Sequence, residues 1–584
     1  MTILGISCFY HDSAAALIID GKVVAAAQEE RFSRRKHDSD FPRQAIAFCL
    51  SHAGITMQDV EVVAFYEKPL LKFERLLHSY IHTWPKGLVS FVKAMGSWTK
   101  TKLRVEHVIR SELSYPGQIL YVEHHYAHAA SAFYCSHFEE AAILTMDGVG
   151  EWDTTTVGLG SRNQISLSRA VTFPHSLGLL YSAVTGYLGF AVNSDEYKIM
   201  GLAPYGDPSI YRDKFKELIK IYDDGSFRLD MQYFSYEYGL RMTSRAFTAL
   251  FGGPPRKKDE PITKREMDIA AALQATLEQA VVALAAHAKH ITNSPNLCLA
   301  GGVALNCVAN GKLLSSALFE NIYIHPAAGD AGAAIGAALY VYFDVQKNPR
   351  IMDVMQSPFL GPSYENEEIR ALLQRASADS AIAQHFSFRE LEDDPLLDET
   401  AHALVGENAV GWFQGRMEWG PRALGNRSIL ADPRIKDNWQ KINRKIKFRE
   451  SFRPLAPSVL ADHAGDYFGL KKESPFMLLV ANVLSNSIPA VTHVDGTARI
   501  QTVTKELNQK FYELLEHFYK KTGCAVLINT SMNVRDEPIV MSPEDALQCF
   551  LKTDMDYLVI GNFFLKKEAA HAAIERSASN RAPI

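Results

Sequence analysis

Residues 141–160 read AAILTMDGVGEWDTTTVGLG. An apolar run ends at Asp147 and Gly148 in a turn, and a second run rich in Thr and Val leads away. This is a strand, a tight polar turn and a strand. The same plan stands at the N-terminus. There TILGIS is followed by CFYHDS, AAALII, the hairpin signal DGK and VVAAAQEE. Two copies of one strand–turn–strand unit predict duplicated lobes with a cleft between them. In such folds the two turns face each other across a nucleotide, with backbone N–H groups aimed at phosphates. His11 and Asp12 fall on the first turn, Asp147 and Gly148 on the second.

Just upstream, EHHYAHAASA begins at Glu123 and spaces His124 and His128 four apart. On a helix these positions share a face, so both imidazoles converge on one point. Two imidazoles and the carboxylate of Asp147 make a transition-metal ligand set with open positions. A bare H-x-x-x-H also reads as a polar helix start with surface histidines. Downstream, LAGGVALNCVANGKL at 299–313 ends a strand at Gly301 and Gly302 before a helix. Glycines there admit a ligand close to the backbone, and Asn306 is placed to bond a ribose or base. Asp330 heads the small-residue helix of GDAGAAIGAALY and is the candidate fourth metal ligand.

The chain has 584 residues, enough for several domains, and 47% of them are hydrophobic. A net charge of −5 argues against nucleic acid as a partner. Seven scattered cysteines without a C-x-x-C suit a reducing compartment. The N-terminus lacks a basic leader, and no uncharged run looks long enough to span a membrane. The expectation is a cytoplasmic protein without a membrane partner. A helical insertion at 68–113, rich in aromatic and basic residues, lines an acceptor pocket, covers the cleft or simply packs as an amphipathic pair. Prolines and a glycine at 346–365 mark a boundary. The expected domains are 1–350 and 355–570, with a frayed tail at 571–584.

Residues 416–453 carry eleven Lys or Arg against four acids in a chain that is acidic overall. Charge runs are usually solvated faces. Here the arginines alternate with Gly, Pro, Trp and Phe, which suits ordered loops. Arginine forks match phosphate oxygens, so the block points to a buried polyphosphate. INTSMNVRDEPIV at 528–540 adds amide and hydroxyl donors for such a pocket.

In combination, GISCFYHDSAA, QEERFSRRKHDSDFP, EHHYAHAASAF, DGVGEWDTT, EYKIMGLAPYG, GGVALN, GRMEWGPRALGNRSI, KIKFRESFRPLAP and NTSMNVRDEPIV resemble the O-carbamoyltransferases of nodulation-factor and antibiotic biosynthesis, nearly end to end. The resemblance implies an α/β protein. Its N-terminal duplicated lobes would be of actin/Hsp70/sugar-kinase type, similar to the tRNA threonylcarbamoyl-transfer protein, followed by a YrdC-like α/β domain. It implies that carbamoyl phosphate and ATP, the latter as its Mg complex, give carbamoyl-adenylate in the C-terminal domain. Arg422, Lys447 and Arg453 would surround the phosphates, with Arg499, Asn529 and Ser531 nearby, and Gly301, Gly302 and Asn306 contacting nucleotide in the first domain. A divalent metal, iron by resemblance, would sit on His124, His128, Asp147 and Asp330. A hydroxyl of a sugar or natural product then attacks the carbamoyl carbon. His11 is the base favoured over His125 and His37, and Lys36 contacts the carbamoyl group or phosphate. A homodimer is compatible with this reading. The competing readings are carbamoyl or threonylcarbamoyl transfer to a tRNA or maturation partner, and a non-catalytic ATP-driven switch of the Hsp70 type.

Overall fold

The computed structural model describes residues 1–568 apart from 101 and 471, so the tail expected to fray at 571–584 lies outside the described residues. The chain divides into two compact units. The first holds Met1–Ser33 and His37–Pro358. The second holds Arg34–Lys36 and the described chain from Phe359 onward.

The first unit contains two five-stranded sheets. In one, β1 (Thr2–Ser7), β2 (Ala14–Ile19) and β3 (Lys22–Gln28) form an antiparallel meander. On the other side of β1, β4 (Val62–Phe65) and then β5 (Gln118–Tyr121) run parallel. In the other sheet, β6 (Glu140–Met146), β7 (Asp153–Ser161) and β8 (Gln164–Thr172) repeat the meander. A separate hairpin pairs β9 (Ile219–Ile221) with β10 (Phe227–Leu229). Then β11 (Asn296–Ala300) and β12 (Asn321–Ile324) add in parallel beside β6. The orders are β3-β2-β1-β4-β5 and β12-β11-β6-β7-β8, one path written twice. This is the duplicated lobe pair that the two strand–turn–strand copies predicted.

Each lobe's fifth strand leads to a helix. Helix His124–Phe133 follows β5 and helix Asp330–Tyr340 follows β12. The two pack against each other through small residues. At Gly336 a Cβ would lie 1.8 Å from the Ala127 carbonyl oxygen, so the approach requires glycine. Helix Lys264–Thr292 has the length and composition of a membrane span, alone in that among the described residues, yet 61% of its apolar window is buried inside the fold. It is a core helix, opened by a capping box of Thr263 and Glu266.

The second unit is built on a nine-stranded mixed sheet. Its strands are β13 (Phe386–Glu390), β14 (Ala409–Phe413), β15 (Arg427–Ala431), β16 (Ala456–Leu460), β17 (Leu479–Asn482), β18 (Thr497–Val503), β19 (Val526–Ser531), β20 (Tyr557–Ile560) and β21 (Phe563–Lys567). The order is β13-β21-β20-β14-β15-β19-β16-β18-β17. The loop from β14 to β15 carries Arg422 and is organised from within. Glu418 Oε1 accepts from the N–H groups of Leu424, Asn426 and Arg427 at 2.8, 2.8 and 3.0 Å. Arg427 is fully buried and donates to the carbonyls of Gln414, Asn426, Pro362 and Gly415. The basic block is thus part scaffold: Arg427 ties loops together, Arg434 pairs with Asp432 and Lys441 with Asp556.

Candidate metal centre and cation cluster

His124 opens one interlobe helix and Asp330 opens the other, so they occupy corresponding places in the two lobe copies. His128 lies one turn beyond His124, and Asp147 follows the end of β6. The backbone N–H of His124 is capped by Glu151, whose carboxylate oxygens both stand 3.1 Å away. One ligand atom from each of His124, His128, Asp147 and Asp330 falls within 4.8 Å of the other three.

The individual spacings test whether a metal fits. His124 Nε2 stands 3.0 Å from both His128 Nε2 and Asp147 Oδ2. Asp330 Oδ1 stands 3.7 Å from His124 Nε2 and 3.5 Å from His128 Nε2, and Asp147 Oδ2 is 4.0 Å from His128 Nε2. Six-coordinate ligation with bonds of about 2.1 Å separates neighbouring donors by about 3.0 Å and opposite donors by about 4.2 Å. The set fits such an ion. The buried Asp330 Oδ1 also has no hydrogen-bond partner, a vacancy that a cation satisfies.

The surrounding chain aims these ligands. Asp147 Oδ1 accepts from the Gly302 N–H at 2.9 Å, which turns its other oxygen into the cluster. Gly301 makes that approach possible, with φ of +89° and the Met146 carbonyl oxygen 2.2 Å from where a Cβ would be. The two glycines therefore serve Asp147 directly. Asn306 caps helix Cys307–Ser315 through the Ala309 N–H and exchanges amide bonds of 3.0 and 3.1 Å with Gln274. His125 turns away from the cluster. It bonds Thr145 Oγ1 at 2.6 Å and the Asp153 carbonyl at 2.8 Å, and burial beside His124 and His128 pulls it down to about 3. It is a neutral brace.

His11 reaches the cluster from the first turn, with Nε2 3.9 Å from Asp330 Oδ2. Its Nδ1 lies 3.0 Å from Asp12 Oδ2, and His37 Nδ1 lies 2.8 Å from Asp12 Oδ1. Burial works against a proton on His11, but Asp330, Asp12 and Asp147 outweigh it and raise the group to about 10. A divalent ion held by Asp330 and Asp147 would offset their share of that rise, while Asp12 would still favour the proton. Sequence reading passed over Asp12 as the joint between His11 and His37. Its position beside His11 was visible, but the approach of His37 was not.

In the second unit, Lys447 is buried and its ammonium donates to the Ser531 carbonyl at 2.6 Å and to Ser531 Oγ at 3.1 Å, and to Asn533 Oδ1. Burial, with Arg449, Arg453 and Lys36 nearby, pushes it well below the usual lysine range. Lys36, expected to contact the carbamoyl group or phosphate, groups with this unit. Asn529 is buried on β19, donating to Ser458 Oγ and Gln501 Oε1, while its own Oδ1 has no partner. Arg499 lies on β18, two strands from β19, and Arg422 on the loop organised by Glu418.

A family model described as the carbamoyltransferase N-terminus matches residues 2–339, and one described as the carbamoyltransferase C-terminus matches 401–567. A Synechocystis sp. protein of uncharacterised function is 51% identical over 97% of both chains. The nodulation protein NolNO of Sinorhizobium fredii is 41% identical over 96% of this chain and 80% of its own length. Nodulation protein U of Rhizobium tropici is 28% identical over 94% of this chain and 93% of its own.

Proposed function

The chain belongs to the carbamoyltransferase family, and we propose that it is an ATP-dependent O-carbamoyltransferase that works in two halves, one in each unit. In the second unit, water releases phosphate from carbamoyl phosphate, and the carbamate oxygen attacks the α-phosphorus of ATP. Pyrophosphate leaves and carbamoyl-adenylate remains. In the first unit, the oxygen of an acceptor hydroxyl bonds to the carbamoyl carbon, the C–O bond to AMP breaks, and the hydroxyl proton passes to His11 Nε2. The acceptor is a hydroxylated small molecule, a sugar or natural product.

The observation that carries this reading is the pairing of two unlike clusters with two unlike tasks. The first unit gathers two imidazoles and two carboxylates beside a histidine. The second gathers Lys447, Arg449, Arg453 and Lys36. Cations orient phosphates and offset the charge of a nucleotidyl transfer. Arg422, Arg499, Asn529 and Ser531 complete that phosphate pocket. His124, His128, Asp147 and Asp330 would hold a divalent ion, iron by resemblance, whose charge would favour AMP as a leaving group. Asp12 keeps Nδ1 of His11 engaged, so that Nε2 faces the reacting hydroxyl. All seven cysteines are free and buried, which suits the cytoplasm, where both substrates are found.

The test supplies the metal-loaded chain with ATP and carbamoyl phosphate and follows the nucleotide products. Carbamoyl-phosphate-dependent release of pyrophosphate, followed by AMP and a carbamoyl mass gain on a hydroxylated acceptor, supports the reading. ADP formed without carbamoyl phosphate overturns it.

A further inference from the structure

Helix Pro69–Thr83 in the insertion has its polarity reversed. Lys72, Arg75 and Ser79, at i, i+3 and i+7, are buried at 5, 9 and 7% exposure, while Leu70 and Ile81 stand 73 and 77% exposed. Packing on a core would place the leucines inward. Here the inner face is cationic. Lys72 pairs with Glu67, and Arg75 Nη1 donates to the Gly150 carbonyl at 2.9 Å, on the turn that also carries Asp147. Lys102 joins them. Among the described residues it has no carboxylate partner, and its ammonium stands 5.4 Å from the Trp98 ring and 5.9 Å from the Tyr10 ring. Lys72 Nζ stands 5.0 Å from the same Tyr10 ring.

Tyr10 connects this face to the chemistry. Its ring lies 4.7 Å from that of His11, whose Nε2 faces Asp330, and it is 39% exposed. Lys72 and Lys102 thus flank an accessible aromatic ring next to the transfer site, Arg75 lies one turn along the same helix face over the Phe173 ring, and Glu67 is the carboxylate paired with Lys72. Glu151 is already committed to the backbone of Lys68 and His124. Lys72 and Arg75 are buried with the single paired carboxylate of Glu67, and Lys102 is half-buried beside them; a deficit of counter-charge of this kind is costly and persists where a ligand supplies the charge. Burial and the neighbouring Lys72 and Arg75 lower Lys102 from the usual lysine range, against the opposing pull of Glu67.

We propose that Lys102, Lys72 and Arg75 form an anion-receiving face beside the transfer site, so that the acceptor is a hydroxylated small molecule that also carries a carboxylate, sulfate or phosphate group. This rests on the transfer reading above. Tyr10 and Trp98 add ring faces of the kind that pack against a sugar or other carbon skeleton. The acceptor's anion seated here directs its hydroxyl toward His11.

Two measurements on the full, metal-loaded chain test this. Calorimetric titration with inorganic sulfate should count one site fewer in Lys102→Gln than in wild type, and the site should return in Lys102→Arg. An equal count in all three overturns the anion face. Acceptors are then offered in matched neutral and anionic pairs, glucose with glucose 6-phosphate and galactose with galacturonate, and carbamoyl mass gain is followed. Wild type and Lys102→Arg should favour the anionic members at least tenfold in kcat/KM, and Lys102→Gln should lose that preference. If Lys102→Gln slows both members of each pair alike, the anion held is the adenylate phosphate and the acceptor assignment falls. If wild-type chain releases no pyrophosphate with carbamoyl phosphate, the transfer reading fails, while the sulfate count still decides the site.

Discussion

The candidate metal cluster takes its four side chains from three elements, so single substitutions would remove one donor while the helices and β6 stay in place. His128→Ala and Asp330→Asn should each bring bound metal, read by elemental analysis, from one per chain to near zero. Transfer should fall by at least about 10²-fold, while carbamoyl-phosphate-dependent pyrophosphate release continues in the other unit. A second residue sets an acid limit on stability. His325 is fully buried, accepts from the Ala327 N–H at Nδ1, and is pulled down to about 4 by burial. The unfolded chain takes up a proton near pH 6.5 where the folded chain does not, so stability is lost as pH falls from there toward 4. The slope is about 1.4 kcal/mol per pH unit. His325→Asn keeps an acceptor for Ala327 but no titrating group, so its urea midpoint should fall less than wild type's between pH 7 and 5. At this scale the sequence was legible where spacing sufficed: His124 and His128 by their helical interval, Asp147 by its strand end. Asp12 with His37, and Lys102 with Tyr10, are joined only through tertiary packing, and no periodicity encodes that.

Elements explain why those ligands meet. Helices His124–Phe133 and Asp330–Tyr340 each follow the fifth strand of a lobe, and duplication brings their first residues to one point. Their close contact at Gly336 makes the cluster sensitive to a residue that touches no ligand. Gly336→Ala puts a methyl group against the Ala127 carbonyl, and overpacking of this kind costs about 1–3 kcal/mol. Gly336→Val should cost more and spread the helices. Both should lower metal affinity in proportion to the lost stability, read by competition with a chelator, whereas Ala338→Gly in the same helix should not. The two copies of strand–turn–strand were enough to predict the lobe pair, because alternating apolar runs and glycine turns are local signals. The insertion was not legible in this way. Its aromatic and basic composition allowed a plain amphipathic pair, and the reversal that points Lys72 and Arg75 inward is fixed by Glu67 just before the helix and by Gly150 from a distant turn.

At the scale of the molecule, the proline- and glycine-bearing stretch at 346–365 suggests a boundary by composition, and the compact units divide between Pro358 and Phe359. The exception lies far upstream. Arg34–Lys36 leave the first unit and group with the second, where the Arg34 guanidinium donates to the carbonyls of Ile539 and Pro538 at 2.7 and 3.0 Å. RRKHD has no compositional signal for such an excursion, since basic residues in a loop suit solvent equally well. Its consequence is measurable. If Lys36 served the transfer site, Lys36→Ala would behave as His11→Ala does, with pyrophosphate release intact and transfer lost. Its place beside Lys447 predicts the reverse. Lys36→Ala should slow carbamoyl-phosphate-dependent pyrophosphate release at least about tenfold, the expected loss for one charge-assisted phosphate contact. Bound metal should stay at one per chain, and carbamoyl transfer from added carbamoyl-adenylate should approach the wild-type rate. Lys447→Ala should match it in all three readouts. A Lys36→Ala chain that forms the adenylate at full rate but cannot pass it on would return Lys36 to the transfer site and leave the second unit to assemble its phosphate pocket from its own residues.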